Sequence, residues 1–244
     1  MQQALEHSHT QEAISARLAL GPRSNYLRDW IYGGIDGAVT TFAIVAGVAG
    51  ADLSATVVLV LGFANLLADG FAMAASNYIS TKAERDDYER VLAVERKHIA
   101  LAPDGEREEI RQIFAAKGFS GDDLERIVTV ITSDRTLWAT TMAVEEYGLS
   151  PTPRSPTLAA LSTFAAFIGC GLIPLVSYLS AGGLASCVVA AGATFFGVGA
   201  IKSRWSPLAW WRSGLETLLV GMSAAAVAFA AGFGLTALFN LPAR

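Results

Sequence analysis

The chain has 244 residues, of which 52% are hydrophobic and 16% charged, where an ordinary soluble domain carries about 25% charged residues. That deficit excludes a typical soluble globular protein and makes a lipid bilayer an expected partner. The formal net charge of −4 argues against nucleic acid as a partner.

Residues 1–28 are polar and mixed in charge, without the basic start and apolar core of a signal peptide. They read as a mobile or amphipathic tail in which His7 and His9 are solvated rather than bound to metal. A helix needs about 20 apolar residues to cross the hydrocarbon core, and five stretches qualify. They run from about Trp30 to Gly50, Ser54 to Thr81, Leu158 to Leu179, Leu184 to Ile201 and Gly214 to Phe239. Residues 29–81 therefore carry spans one and two, and residues 157–240 carry spans three to five. Span two is too long for the bilayer alone, so its end is expected to continue into water as helix. The fold class expected is all-α and polytopic, with a helical insert between spans two and three.

That insert, residues 82–150, is strongly charged. Of the 22 acidic residues in the chain, 15 lie between Lys82 and Glu146, with ten of the 18 Lys and Arg. Its first helix continues from span two, with Tyr88, Val91, Leu92, Val94 and Ile99 in a loosely helical period. Pro103-Asp104-Gly105 breaks it. A second helix is predicted over about Glu106 to Lys117, with Ile110, Ile113 and Phe114 on its apolar face and Gly118 at its end. Ser120 and Asp123 approach a capping box for a third helix, whose face is Leu124, Ile127, Val128 and Ile131. A fourth begins near Asp134, carries Leu137, Trp138 and Met142, and stops at Gly148. Pro151, Pro153 and Pro156 link it to span three. Cys170 and Cys187 sit in apolar runs without C-x-x-C spacing and read as buried small residues, with no disulfide framework.

Cytoplasmic loops are enriched in Lys and Arg. With the N-terminus inside, Arg17, Arg23, Arg28, the whole stretch 82–156 including Arg154, Lys202, Arg204 and Arg212 are cytoplasmic. Seventeen of 18 basic residues then lie inside, and only Arg244 at the C-terminus lies outside.

Carboxylates inside a span are costly, and by default they mark function. Asp36 lies in G-G-I-D-G-A-V-T-T-F-A, flanked by Gly33 and Gly37, whose G-x-x-x-G spacing allows a close helix approach. There Asp36 could meet a partner helix or a metal. In span two, Asn65, Asp69 and Met73 are four apart and share one helical face, continued by Ser76 and Ser80. Oxygen ligands with a thioether suit a borderline divalent transition metal. The competing reading is an Asn–Asp packing network with a filler Met. Glu216, beside Trp210, Trp211 and Arg212, reads as the partner of an interfacial base. In the insert, Glu95 and His98, Glu106 and Glu109, and Met142 and Glu146 are each three or four apart. Helical bundles hold iron with a carboxylate and a His at i+3, although any one such pair is also what a solvated charged face looks like.

With these landmarks in view, the chain resembles the vacuolar iron transporter family (also called the nodulin-like or yeast calcium-cross-complementer family), as a bacterial-type member. The resemblance covers roughly Leu27 to Phe239. It rests on D-G-A-V-T-T-F-A (36–43), A-D-G-F-A-M-A-A-S-N-Y-I-S-T-K-A-E (68–84), the charged insert, G-A-I-K-S-R (199–204) and S-G-L-E-T-L (213–218). It implies five spans, a homodimer, a cytoplasmic metal-binding domain, and export of Fe²⁺, often Mn²⁺, from the cytosol with proton exchange proposed as the driving force. It also implies a transport path at the dimer interface, lined by a span-one Asp, a span-two acidic position and a span-two Met. These fall on Asp36, Asn65 and Met73. Asn65 departs from the plant-type Glu, and Asp69 one turn along is expected to replace its charge. The family's metal-ligand positions match Glu95, Glu106, Glu109, Met142 and Glu146. His98 stands at a further carboxylate position, and Ala143 stands where a second Met is usual.

The expected function is thus a divalent-metal transporter rather than an enzyme, with Fe²⁺ or Mn²⁺ as substrate and no prosthetic group. A membrane-anchored di-iron ferroxidase and a metal-sensing or storage protein are the alternatives. The short tails and missing targeting peptide favour a bacterial inner membrane.

Overall fold

The structure is a computed structural model that describes residues 8–21, 24–151 and 154–239. His7, Arg23, Pro153 and Arg244, all weighed above, lie outside the described residues. Among those described there is no strand, and the helices are α1 (Gln11–Ala19), α2 (Leu27–Gly50), α3 (Ala55–Leu101), α4 (Pro103–Ala116), α5 (Gly121–Thr132), α6 (Arg135–Glu145), α7 (Pro156–Ser177), α8 (Gly183–Lys202) and α9 (Trp210–Phe239). A π-helical turn, Tyr178–Gly182, joins α7 to α8, and a 3₁₀ turn, Ser203–Trp205, follows α8. Five helical segments are long and apolar enough to cross a membrane: Leu27–Gly50, Ala55–Leu101, Pro156–Ser180, Gly183–Trp205 and Trp210–Phe239. The chain is a polytopic α-helical membrane protein. Span two does continue as helix well beyond the length of a bilayer crossing, because nothing from Ala55 to Leu101 interrupts the backbone.

The contacts divide the chain into two units. One is Tyr26–Ser80 with Ser155–Arg244; the other is Thr81–Arg154 with the segment up to Asn25. In the first, α2 packs along α7 with backbone almost touching backbone. A Cβ on Gly33 would lie 2.2 Å from the Thr163 carbonyl oxygen, and one on Gly37 would lie 2.2 Å from that of Phe167. The G-x-x-x-G stripe is therefore spent on α7 of the same chain, not on a second copy of span one. Asp36 lies beside this seam, half-buried. The opposite contact of α2, against α9, uses the same device: a Cβ on Gly232 would lie 2.2 Å from the Gly47 carbonyl oxygen. In lipid the hydrophobic effect does not drive helices together, so such close packing supplies much of the adhesion. Phe42, Phe167 and Phe195 fill the spaces between, with Cys170 and Cys187 buried as free thiols.

In the second unit, Val91, Ile110, Val128, Ile131, Trp138 and Met142 form the core. Three local expectations need correction. Pro103 does not separate two helices by a loop; it opens α4, because a first-turn residue needs no N–H donor. Ser120 is the N-cap of α5 but makes no side-chain cap bond, so the capping box does not form. Leu137 is exposed and does not join the core. Asp134 caps α6 as expected, accepting from the Thr136 and Leu137 amides at 2.7 and 3.1 Å. In the tail, α1 buries no residue, and His9 just before it is exposed.

Candidate metal centre

Along the α3 face that enters the core, Val91, Glu95 and Ile99 follow one another at intervals of four, and all three are buried. A carboxylate thus occupies a position that helical periodicity reserves for an apolar side chain. On α4, buried Glu106 stands one turn before buried Ile110 in the same way. Glu95 is 1% and Glu106 5% exposed, and buried carboxylates persist only with partners. Their partners are few. Tyr147 Oη donates to Glu95 Oε1 at 3.2 Å, and His98 Nδ1 lies 3.3 Å from Glu106 Oε1. Glu95 Oε2 and Glu106 Oε2 are buried without a hydrogen-bond partner.

One ligand atom each from Glu95, His98 and Glu106 can be chosen so that all three lie within 4.8 Å of one another. Opposite ligands of a first-row ion sit roughly 4 Å apart, so a single ion fits this grouping. Carboxylate oxygens with an imidazole nitrogen suit a borderline divalent metal. Glu109 and Glu146 are exposed at the rim, and their charges reach Glu106. Met142 is fully buried in the core one turn before Glu146.

The electrostatics follow from this crowding. Burial first, then the charges of Glu109, Glu95 and Glu146, push the Glu106 pKa up to about 7. Partial desolvation, Glu95 and Glu109 push Glu146 upward, opposed by His98 and Tyr147. Tyr147 is raised to about 12, by burial first and then by Glu95 and Glu146, so its phenol keeps its proton and remains a donor.

Among the membrane helices, Asn65 Nδ2 donates to Asp69 Oδ2 within the span-two stripe. Asn65 Oδ1 is buried without a partner. Asp69 is exposed, and it lies within electrostatic reach of half-buried Asp36 on α2. Met73 is half-buried and packs against the membrane core. Ser76 and Ser80 are exposed. Glu216 pairs with Lys202 at 3.4 Å, as an interfacial carboxylate should.

A further polar group of this unit has no counterpart in the reading of the spans. Asp29, 4% exposed, accepts from Asn77 Nδ2 at 2.9 Å, and the same amide reaches Thr163 Oγ1 at 2.7 Å. The available signal was spacing: Asp29 precedes Asp36 by seven residues, two turns along one face of α2. Asn77→Leu would leave a buried carboxylate short of a donor, so a loss of about 1–3 kcal/mol is expected. A lower thermal midpoint in detergent checks it.

The sequence pattern of the VIT family matches residues 27–233. Vacuolar iron transporter 2 of Oryza sativa subsp. japonica is 30% identical over 233 residues, 93% of this chain and 92% of that protein. Vacuolar iron transporter 1 of Arabidopsis thaliana is 30% identical over 233 residues, 93% of this chain and 90% of that protein. The vacuolar iron transporter of Toxoplasma gondii is 38% identical over 162 residues, 64% of this chain; the aligned part spans about half, 53%, of that longer protein. All three relatives are eukaryotic, so the bacterial-type assignment and the bacterial inner membrane gain no support from them. With a match running from the start of α2 into α9, this chain belongs to the VIT family.

Proposed function

We propose that this chain carries a divalent transition-metal ion, Fe²⁺ and also Mn²⁺, across its membrane and out of the cytosol. The observation that carries this reading is the buried, under-partnered carboxylate pair Glu95 and Glu106 beside His98, in a chain otherwise built of membrane helices. The relatives' printed names, vacuolar iron transporters, support iron as the cargo. In this reading Glu95, His98, Glu106, Glu109, Met142 and Glu146 capture the ion on the cytoplasmic side, where the distribution of Lys and Arg puts the insert. Asp36, Asn65, Asp69 and Met73 line the passage. Asp69 is exposed on a membrane helix, and a carboxylate facing hydrocarbon is costly. That supports a path completed by a second copy of the chain.

Proton exchange follows from competition for the same oxygens. Glu106 is close to half protonated near neutral pH, so an arriving cation displaces a proton there. A carboxylate in the path releases its metal when a proton reaches it from the far side. A di-iron enzyme is the weaker reading, because such bundles repeat the Glu-x-x-His pair and the charged insert has it once, at Glu95 and His98.

The test is flux into liposomes containing a metal-sensitive dye, with and without a pH gradient. Gradient-dependent Fe²⁺ or Mn²⁺ entry is expected from the wild type and none from Asp36→Ala, which should still bind metal. Undiminished flux through Asp36→Ala sinks the proposed path. Oxygen consumption on adding Fe²⁺, without flux, replaces transport by ferroxidase chemistry.

A further inference from the structure

We infer that Tyr147 is a positioning residue of the metal centre, holding Glu95 so that one defined oxygen faces the ion; this rests on the metal-capture reading above. A free carboxylate can bind a cation through either oxygen or through both. Here the two oxygens of Glu95 are not equivalent. Oε1 accepts the Tyr147 hydroxyl at 3.2 Å, while Oε2 is buried with no hydrogen-bond partner. Glu106 also has one buried oxygen without a hydrogen-bond partner, Oε2, while its Oε1 lies 3.3 Å from His98 Nδ1. Glu95 therefore has one oxygen held by a donor and one left for a cation. Loss of an outer hydrogen bond that holds a metal ligand commonly lowers metal affinity by about 10–100-fold.

The placement of Tyr147 follows from how α6 ends. The helix closes with the Gly148 amide on the Val144 carbonyl at 3.1 Å and the Leu149 amide on the Ala143 carbonyl at 3.1 Å. Gly148 takes φ +66°, the left-handed conformation that such helix ends require. Tyr147, the residue before that turn, is thereby fixed against a glutamate 52 positions away on α3.

The experiment uses the full chain in detergent with Mn²⁺ as probe, comparing wild type, Tyr147→Phe and Glu95→Gln. Mn²⁺ affinity is read by electron paramagnetic resonance. Metal-free stability is read from the thermal midpoint, and carboxylate coordination from infrared difference bands. Tyr147→Phe is expected to weaken Mn²⁺ binding by about 10–100-fold, with an unchanged metal-free midpoint. Its infrared bands should shift from one-oxygen toward two-oxygen coordination. Wild-type affinity and bands in Tyr147→Phe, with binding lost in Glu95→Gln, overturn the positioning role and leave metal capture standing. A Tyr147→Phe chain that no longer folds, or melts lower without metal in step with its lost affinity, makes the contact structural and also overturns the proposal. Wild-type binding by Glu95→Gln overturns the capture reading and this inference together.

Discussion

Glu106→Gln is expected to weaken metal binding at pH 8 by roughly two to three orders of magnitude while raising the stability of the metal-free protein. Both effects come from one cause. Glu106 is 5% exposed and surrounded by Glu95, Glu109 and Glu146, so its charge is favourable only when a cation is present. Removing one partner of a buried charge pair costs about 3–5 kcal/mol, and each 1.4 kcal/mol is about tenfold in affinity. The sign of the stability change follows from linkage. The pKa of Glu106 in the folded chain, about 7, lies above its ordinary value of 4.5. Its contribution to stability is therefore fully present below pH 4.5 and is lost as pH rises through about 7. Gln cannot ionise, so the variant escapes that loss. In the wild type, metal competes with this proton, and affinity for Mn²⁺ should fall by up to about tenfold from pH 7 to pH 6 and level off above neutrality. Chelator should accordingly lower the thermal midpoint more at pH 8 than at pH 5. Thermal melts and Mn²⁺ titrations across this range check each part. A variant that loses metal binding and also melts lower without metal at pH 8 contradicts the argument.

The second large effect lies in the membrane unit. Gly37→Val should abolish recovery of folded protein or lower its thermal midpoint sharply. A Cβ at Gly37 would sit 2.2 Å from the Phe167 carbonyl oxygen and 2.8 Å from its carbonyl carbon and Cα. The obstacle is backbone, which cannot swing aside as a flexible side chain can. Relief requires α2 and α7 to separate, and that loosens the contacts along the whole seam, including those at Gly33. Overpacking alone costs about 1–3 kcal/mol, and a parted helix pair adds to it. Gly169→Ala, on α7 itself, is the control. Nothing lies within 4 Å of its Cβ position, and Ala is the better helix former, so no loss is expected. Size-exclusion profiles after graded heating separate the two variants. Equal stability of Gly37→Val and wild type would mean that the α2–α7 seam is not close-packed.

How much of this was legible beforehand can be judged residue by residue. The five spans were, since each is a contiguous apolar run whose length is measured against a bilayer. So was the helical continuation of span two, because the run of charges after Tyr78 contains no helix breaker before Pro103. The pairing of Glu216 with a nearby base followed from local composition and interfacial position. Spacing also marked Gly33 and Gly37 as a place of close approach, yet it carried no label for the helix that would fill it. The partner is α7, some 130 residues along the chain, and only packing selects it.

The same division runs through the candidate centre. Spacing put Glu95 with His98 and Glu106 with Glu109 on shared helical faces, which is a property of single helices. It did not say that Glu95 and Glu106 would be buried, because that depends on α3 and α4 turning those faces into one core. Nor did it mark Tyr147, whose hydroxyl meets Glu95 only because Gly148 closes α6 in a left-handed turn. Asp29 is a charge next to the polar tail in sequence, and only the fold brings Asn77, itself bonded to Thr163 on a third helix, within hydrogen-bond reach of it. The amino-acid sequence by itself determined the membrane helices, their number and their affinity for lipid, since propensity and hydrophobicity act over neighbouring residues. Tertiary structure alone decided which carboxylates are desolvated and which donors reach them. Desolvation and hydrogen bonding depend on distances across the fold, between residues that the chain keeps far apart.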